Sequence, residues 1–346
     1  MPRFLLPLLC LLALSPLTAP AQEATTRFGD GATSFLMRST TDIGIIRPVM
    51  DRFAALNPEL TITYEQWGSN DLFDLSRDDC QSGARPADAV LSSAVQHMVW
   101  LVNAACGTPY RSAVTAALPD NRRWRDELWG VTTEPAVIAY NRRLLAGADV
   151  PRNRFAFLDA MRARPEFFRK RIATYDIAES GLGYLFAYAD SLEATTFGAL
   201  LEAFARVESV ATCCSAEIIQ GVSEGRYLIA YNVLGSYVAN ANLPDVGMIL
   251  PEDYTLILSR GYMIPKGAAQ AGVAGRLVDF LLSDEAQAML QRAGLVTQMD
   301  PAETGLAVSA RRYVPLSPTL LVARDANRRR LLLRFWSDTF MQAELP

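Results

Sequence analysis

From residue 33 onward the chain alternates short apolar strands with amphipathic helices. Residues 34–39 have the pattern of a strand, apolar residues then recur at helical spacing up to Leu56, and residues 60–66 alternate as a second strand. A third pair follows at residues 87–91 and 93–104. Such repetition predicts a parallel sheet covered by helices on both faces, and therefore an α/β fold.

The repetition occurs in two blocks joined by two long extended segments. Residues 128–141 contain an internal proline, which favours an edge or a crossing position, and residues 254–264 are extended again. We interpret these segments as two hinge crossings between two lobes, leaving the first near residue 131 and returning near residue 254. Lobe 1 then comprises residues 22–131 and 255–300, lobe 2 comprises residues 132–254, and residues 301–346 form a C-terminal helical segment that packs across both.

The first 21 residues have the features of a secretory signal peptide. Arg3 gives a positively charged start, residues 4–14 are apolar apart from Pro7, and Ala19-Pro20-Ala21 is a small-x-small cleavage signature. The apolar run is too short to span a bilayer. We therefore expect the protein to act in the periplasm, away from cytoplasmic nucleotide cofactors, and we expect no cofactor.

The composition excludes several classes of function. Half of the residues are hydrophobic and 20% are charged, which predicts a packed core. The net charge is −4 at pH 7 without any basic block, so nucleic-acid binding is not expected. His97 is the only histidine, and neither an HExxH motif nor a nucleophile elbow occurs. These features argue against a metal site and against an extracytoplasmic hydrolase.

Four cysteines follow the signal peptide, and an oxidising compartment favours disulfides between them. Four cysteines allow three pairings. We prefer a bridge between Cys80 and Cys106, which would join the loop after one helix to the end of the next. Cys213 and Cys214 are adjacent and would form either a vicinal disulfide or two small buried side chains, of which we favour the second.

Several short motifs, taken in their order, resemble those of periplasmic solute-binding proteins. They are Ser39-Thr40-Thr41-Asp42, Phe53 to Pro58 followed by Leu60 to Tyr64, Trp129-Gly130 with Tyr140-Asn141, Gly225 with Tyr231-Asn232, Tyr262 to Lys266, and Phe280 to Ser283 with residues 285–287. The chain is most similar to the ferric-iron-type extracytoplasmic binding family of ABC importers, which also contains binders of phosphorylated sugars and regulators of phosphoglycerate transport. The resemblance implies a two-lobed α/β fold of the type II periplasmic-binding-protein class, which closes on its ligand by a hinge.

The resemblance also implies a function. It implies a monomeric binding protein, not an enzyme, that captures a small solute and delivers it to an inner-membrane ABC permease. A ligand-sensing partner of a two-component sensor kinase is an alternative, because it would use the same closure. A ferric-iron binder is another alternative, although this chain lacks the tandem tyrosines of the family's iron binders.

Two predicted helix starts follow strands and offer hydroxyls and backbone N–H groups. Such groups suit an anion, for example a phosphorylated metabolite or a carboxylate, but ordinary helix capping explains the same residue types. In a two-lobed fold we expect both starts to face one cleft. The residues concerned are Ser39, Thr40 and Thr41 in lobe 1, and Ser180, Gly181 and Gly183 in lobe 2.

Other side chains are placed near the cleft because ligands in α/β folds bind outside the carboxyl ends of strands. A guanidinium from Arg38, Arg226 or Arg260 would add a charged fork for the anion. The indole of Trp67 would form an apolar wall of the cleft or belong to the core. The candidate set is completed by Trp67, Ser69, Ser92, Ser93, Glu134, Tyr231, Asn232 and Arg260.

Overall fold

The computed structural model describes residues 22–193 and 195–340, so the predicted signal peptide, residues 1–21, lies outside the described residues. Within them the chain forms two seven-stranded sheets with helices packed around them. This arrangement confirms the predicted two-lobed α/β architecture. None of the described helices combines the length and the apolar character needed to cross a bilayer.

Strands and helices alternate along most of the described chain. The strands are β1 (Gln22–Phe28), β2 (Thr33–Ser39), β3 (Leu60–Trp67), β4 (Ala89–Ser92), β5 (Arg123–Trp124), β6 (Leu128–Gly130), β7 (Glu134–Asn141), β8 (Ile172–Tyr175), β9 (Val210–Thr212), β10 (Ile229–Leu234), β11 (Val246–Ile249), β12 (Thr255–Leu258), β13 (Gly261–Met263) and β14 (Arg311–Tyr313). The helices are α1 (Ile43–Leu56), α2 (Ser69–Ser82), α3 (Val95–Asn103), α4 (Ala113–Ala116), α5 (Arg154–Ala163), α6 (Pro165–Phe168), α7 (Gly181–Glu193), α8 (Phe197–Arg206), α9 (Ser215–Ser223), α10 (Gly235–Ala241), α11 (Ala271–Leu281), α12 (Asp284–Arg292), α13 (Pro301–Thr304) and α14 (Ala326–Phe340).

Each sheet mixes parallel and antiparallel pairs. In lobe 1 the strand order is β1-β3-β2-β4-β13-β6-β5, and β2 is parallel to both β3 and β4. In lobe 2 the order is β14-β12-β7-β10-β8-β9, β11 also pairs with β7, and β8 is parallel to β9 and β10. The sequence predicted parallel sheets, but only part of each sheet is parallel. The strands next to the crossings pair antiparallel with their neighbours.

Helix α1 begins at Ile43, four residues before the start near Arg47 predicted from the position of Pro48. A proline inside a helix costs about 3 kcal/mol because it lacks the N–H group and its ring crowds the preceding turn. Burying one large apolar side chain contributes about 1.5–3 kcal/mol, so the apolar face outweighs that cost. The large side chains buried on that face are those of Ile45, Ile46, Val49, Met50 and Phe53.

The chain passes between the two sheets in three places. Residues 131–133 lead from β6 in lobe 1 to β7 in lobe 2. The return lies at residues 259–260 and not near 254, because β12 pairs with β7 and only β13 joins β4. A third passage lies beside the first and was not predicted from the sequence. There Thr133 forms backbone hydrogen bonds with Leu295 (3.0 Å) and Thr297 (2.8 Å).

The described part of the C-terminal segment, residues 301–340, contacts both lobes. Strand β14 extends the sheet of lobe 2 beside β12. The short 3-10 helix Pro318–Arg324 packs on α3 in lobe 1, and α14 packs on α8 in lobe 2. The segment therefore connects the two lobes.

Two disulfides occur among the described residues. Cys80 at the end of α2 is bonded to Cys106 after α3, with 5.5 Å between the Cα atoms. Cys213 and Cys214 are also bonded to each other. This bond differs from the preferred interpretation as two separate small side chains. The pair fills the two positions between β9 and the first residue of α9.

Candidate functional site

A cavity of about 560 Å³ lies between the lobes. Its walls come from the loops that follow β2, β3 and β4 in lobe 1 and β8, β9 and β10 in lobe 2. These are carboxyl ends of strands, where ligands of α/β folds bind. Parallel pairing places several of these ends side by side within each lobe. We call this cavity the cleft.

Five of the residues proposed from the sequence line the cleft, and both lobes contribute. They are Thr40, Trp67, Ser69, Ser93 and Ser180. The others do not line it: Ser39, Thr41, Ser92, Glu134, Gly181, Gly183, Tyr231, Asn232 and Arg260 are all buried elsewhere. Trp67 forms part of the cleft wall and also packs against the core, so both of its proposed positions hold.

The lobes contact each other directly at the start of α7. The backbone N–H of Gly181 donates to Oγ of Ser69 (2.9 Å), and Nε2 of Gln96 donates to the carbonyl of Gly181 (2.7 Å). A Cβ atom at position 181 would lie 2.5 Å from Cε1 of His97. Glycine is therefore required here for the close approach of lobe 1, and not to cradle an anion.

The backbone amides at both predicted anion-binding helix starts already have partners. Thr40 N–H donates to the carbonyl of Leu91 (3.0 Å), and Thr41 N–H donates to Oγ of Ser39 (2.9 Å). In lobe 2, Gly183 N–H donates to Oγ of Ser180 (3.0 Å), and Gly181 N–H is paired with Ser69 as described. An anion at any of these four amides would have to displace the hydrogen bond that the amide already makes.

The charged side chains that line the cleft are all acidic. No lysine or arginine lines it, and none of its carboxylates forms an ion pair within the described residues. Burial, together with the nearby Asp74 carboxylate, raises the pKa of Asp71. Asp71 and Glu217 lie in the first turns of α2 and α9, where they offset the partial positive charge of a helix start. Each start carries only about half a unit charge, so the lining stays negative. The acidic residues are Glu23, Asp42, Asp71, Glu179 and Glu217.

Apolar and aromatic groups form the remaining walls. The rings of Trp67, Tyr175 and Tyr237 line the cleft together with the Cys213–Cys214 disulfide. The hydroxyl of Tyr237 donates to Oδ1 of Asp42 (2.7 Å), which joins the lobes across the cleft. Within the described residues no group of three His, Cys, Asp or Glu side chains is placed to hold a metal ion.

Arg260 and Glu134, two candidates for ligand contact, pair with each other at the crossings. Both side chains are fully buried, and Nε of Arg260 donates to Oε1 of Glu134 (2.8 Å). Nη1 of Arg260 donates to Oγ1 of Thr41 (3.0 Å), which explains why Thr41 also points away from the cleft. The predicted charged fork is therefore already occupied by a carboxylate of the protein.

Tyr231 and Asn232 were expected in the cleft because they were placed at the carboxyl end of a strand. Strand β10 continues to Leu234, and its register shifts between Ala230 and Val233, where Asn232 has φ 57°. Because of this irregularity, the side chains of Tyr231 and Asn232 donate hydrogen bonds to the buried carboxylate of Asp190 in lobe 2. Leu234 and Tyr237 occupy the cleft instead.

The wall from residue 213 to residue 217 was not predicted from the sequence. Residues 210–212 were not predicted to form a strand, so no strand end placed the residues after them in the cleft. Asp42 and Glu179 were adjacent to proposed residues. Their carboxylates were not predicted to face the ligand, because the expected ligand was an anion, which a carboxylate repels. The signal that would have found them is the carboxylate beside each predicted helix start.

His97 is buried at the contact between the lobes, with 4% of its surface exposed and its ring 4.6 Å from that of Phe73. Burial, together with the positive charge of Arg324, lowers the pKa of His97 to about 3. The unfolded chain takes up this proton near pH 6.5. The folded state is therefore penalised as the pH falls from about 6.5 towards about 3.

We expect a shift from pH 7 to pH 5 to lower the free energy of unfolding by about 2 kcal/mol through His97. Urea titrations at half-unit pH intervals measure this loss. Because His97 is the only histidine in the chain, the His97→Gln variant should show a nearly flat profile over the same interval. An equal slope in both proteins would contradict the assignment.

Comparisons with known proteins bear on the same region. The model of a family described as bacterial extracellular solute-binding proteins matches residues 39–288. Among solved structures, the substrate-binding protein of an ABC transporter from Agrobacterium tumefaciens is similar, with 28% identity, a TM-score of 0.86, and coverage of 93% of this chain and 99% of that chain. No curated protein sequence matches the chain.

Two more distant structures support the fold alone. The apo ferric ion-binding protein A of Pasteurella haemolytica has 18% identity and a TM-score of 0.67, with 88% of this chain and 98% of that chain covered. The periplasmic binding protein AfuA of Actinobacillus pleuropneumoniae, solved with fructose-6-phosphate, has 14% identity and a TM-score of 0.69, with 90% and 99% covered. The predicted type II periplasmic-binding-protein fold is confirmed.

Proposed function

The chain belongs to the family of bacterial extracellular solute-binding proteins, and on this basis we propose that it captures a small solute in the cleft and delivers it to an ABC permease. The signal peptide predicted from the sequence supports a periplasmic location. The observation that carries the proposal is the convergence of six strand ends, three from each lobe, on one cavity of about 560 Å³. That volume suits a metabolite-sized molecule.

We propose further that the solute is a small organic cation. Five carboxylates and three aromatic rings line the cleft without any arginine or lysine, and none of these carboxylates forms an ion pair within the described residues. At about 6 Å and an effective dielectric constant of about 20, a partly buried carboxylate such as Asp42 or Asp71 changes the energy of a unit charge by about 3 kcal/mol. The exposed carboxylates of Glu23, Glu179 and Glu217 contribute less, because solvent screens them. This interaction attracts a cation and repels the anion expected from the sequence. Aromatic faces add a further attraction for an ammonium group.

A thermal-shift and calorimetric screen tests the proposal. The panel contains diamines, quaternary ammonium compounds, amino sugars, phosphorylated sugars, phosphoglycerates, dicarboxylates and ferric salts. A ligand at about 100 times its Kd contributes about 2.7 kcal/mol of stability, so a cation that binds should raise the Tm clearly. Binding of an anion or of iron alone would overturn the proposed charge of the solute but leave the cleft as its site.

Substitutions of cleft carboxylates test whether the solute binds in the cleft. Asp42→Asn and Glu217→Gln should each weaken binding of the identified cation about tenfold or more, because each removes a carboxylate from the cleft wall. The matched control is Asp51→Asn, which removes the same charge from an exposed position of α1 outside the cleft. If the control weakens binding as much as the cleft variants do, the cleft is not the site.

Experiments in cells distinguish delivery of the solute to a permease from signalling to a sensor kinase. A strain without this protein should lose uptake of the labelled solute if the protein feeds a permease. If the protein reports to a sensor kinase, uptake should persist and only the transcriptional response to the solute should disappear. We expect loss of uptake, since the family match and the Agrobacterium structure both concern solute-binding proteins.

A further inference from the structure

A second groove, of about 910 Å³, lies between α2 of lobe 1, the segment before α7 in lobe 2, and the C-terminal segment. Its charge is opposite to that of the cleft. Five arginines line it, accompanied only by the acids Asp74 and Asp176, although the whole chain carries a net charge of −4. The arginines are Arg77, Arg324, Arg329, Arg330 and Arg334. We call it the basic groove.

Most of this positive charge is not neutralised by the protein. Arg77 pairs with Asp74 and with Asp78, at 2.8 Å each. The other four arginines form no ion pair with any carboxylate of the described residues. The Arg324 guanidinium lies 4.1 Å from the centre of the Phe73 ring, and burial together with Arg329 lowers its pKa. Guanidinium groups held close together without a counter-ion repel each other.

Two residues of the groove wall also carry buried donors without partners. Nε of Arg324 and Nε1 of Trp336 have no hydrogen-bond partner within the described residues, and only 6% of the Trp336 surface is exposed. An unsatisfied buried donor destabilises the folded state, because it has lost its hydrogen bonds to water. Both missing partners are acceptors, which agrees with the excess of positive charge. An oxyanion would supply acceptors and negative charge together.

We propose that the basic groove binds a small multivalent oxyanion, of the phosphate or polycarboxylate class. Guanidinium forks suit such anions because they offer paired N–H donors in the geometry of the oxygen atoms. The groove takes side chains from lobe 1, from lobe 2 and from the C-terminal segment. A bound anion would therefore hold these three parts together.

The basic groove is separate from the cleft, and its ligand does not depend on the identity of the solute. Asn70 stands between them: its neighbours Ser69 and Asp71 line the cleft, whereas Asn70 lines the groove. Its Nδ2 donates to the carbonyls of Ala178 (3.0 Å) and Glu179 (2.8 Å). Lobe 1 thus contacts lobe 2 along the boundary between the two sites.

Calorimetry of the intact protein with pyrophosphate and with citrate, at about 150 mM salt, tests the proposal. We expect one saturable site, and at least a tenfold loss of affinity in the Arg324→Gln/Arg329→Gln variant. The matched control is Arg162→Gln/Arg206→Gln, which removes two exposed, unpaired arginines on lobe 2. The single variant Arg334→Gln, at an exposed position, should also weaken binding if the double variant proves unstable.

Three results would overturn the proposal. They are the absence of saturable binding of either anion, equal loss of affinity in the groove and control variants, and tighter pyrophosphate binding in Asp42→Asn. The last result would place the anion in the cleft, because removal of a cleft carboxylate weakens the repulsion of an anion bound there. An unchanged affinity for pyrophosphate in Asp42→Asn supports the basic groove, whatever that variant does to binding of the cation.

Discussion

Glu134→Gln is expected to lower the free energy of unfolding by about 3–5 kcal/mol, because it leaves Arg260 buried without its countercharge. The carboxylate accepts two hydrogen bonds from Arg260, at 2.8 and 3.1 Å. It accepts two more from the hydroxyls of Thr132 (2.8 Å) and Ser236 (2.5 Å). A neutral amide keeps the size of the side chain but not its charge.

Urea unfolding followed by circular dichroism measures this loss. The double variant Glu134→Leu/Arg260→Met should recover most of the stability, because removal of both charges leaves neither one unpaired. The alternative from the sequence, that Arg260 binds the ligand, makes a different prediction. It requires Arg260→Met to lose solute affinity at unchanged stability, and that outcome would contradict a structural role for the pair.

Asp190→Asn is the second change for which we expect a large loss, about 3 kcal/mol. This value is the lower end of the range for a broken buried ion pair, because Arg154 keeps a second ion pair with Asp253 (3.2 Å). The Asp190 carboxylate accepts from Nη2 of Arg154 at 3.1 Å. It also accepts from the side chains of Tyr231, Asn232 and Tyr254, each at 2.7 Å. Arg154 is fully buried, and its guanidinium carbon lies 3.6 Å from the centre of the Tyr254 ring. This network joins α5, α7, β10 and the approach to β12.

The control for Asp190→Asn is Tyr254→Phe, which removes one hydrogen bond and keeps the ion pair. We expect it to cost about 1–3 kcal/mol, the penalty for leaving a buried polar group unpaired. Chemical unfolding of both variants separates the effect of losing the Asp190 charge from the effect of losing one hydrogen bond. If both variants lose the same free energy, the charge of Asp190 contributes nothing. Solute affinity of the folded protein should be unchanged in both, because neither residue lines the cleft.

The approximate place of the cleft was predictable because the rule that locates it is topological. Ligands bind beyond the carboxyl ends of strands, and the alternating pattern shows where several strands end. Thr40 and Ser93, which follow β2 and β4, are in the cleft for this reason. Ser180 is there because it immediately precedes α7.

The charge of the cleft was not predictable in the same way. Arg260 was a reasonable candidate for an anion until the structure placed Glu134 against it, 126 residues away in sequence. The acids of the cleft come from both lobes and from separate loops. Whether a charge faces the ligand or a partner within the protein depends on contacts between segments far apart in the chain.

The amino-acid sequence by itself determined the alternation of strands and helices, because that order depends on hydrophobic spacing between near neighbours. It also determined the class of the fold and the approximate position of the first passage between the lobes. Only the tertiary structure decided the ends of β10 and β12, the pairing of buried charges, and the separation of an acidic cleft from a basic groove. These features depend on which distant side chains meet, since burial makes an unpaired charge costly and so selects its partner.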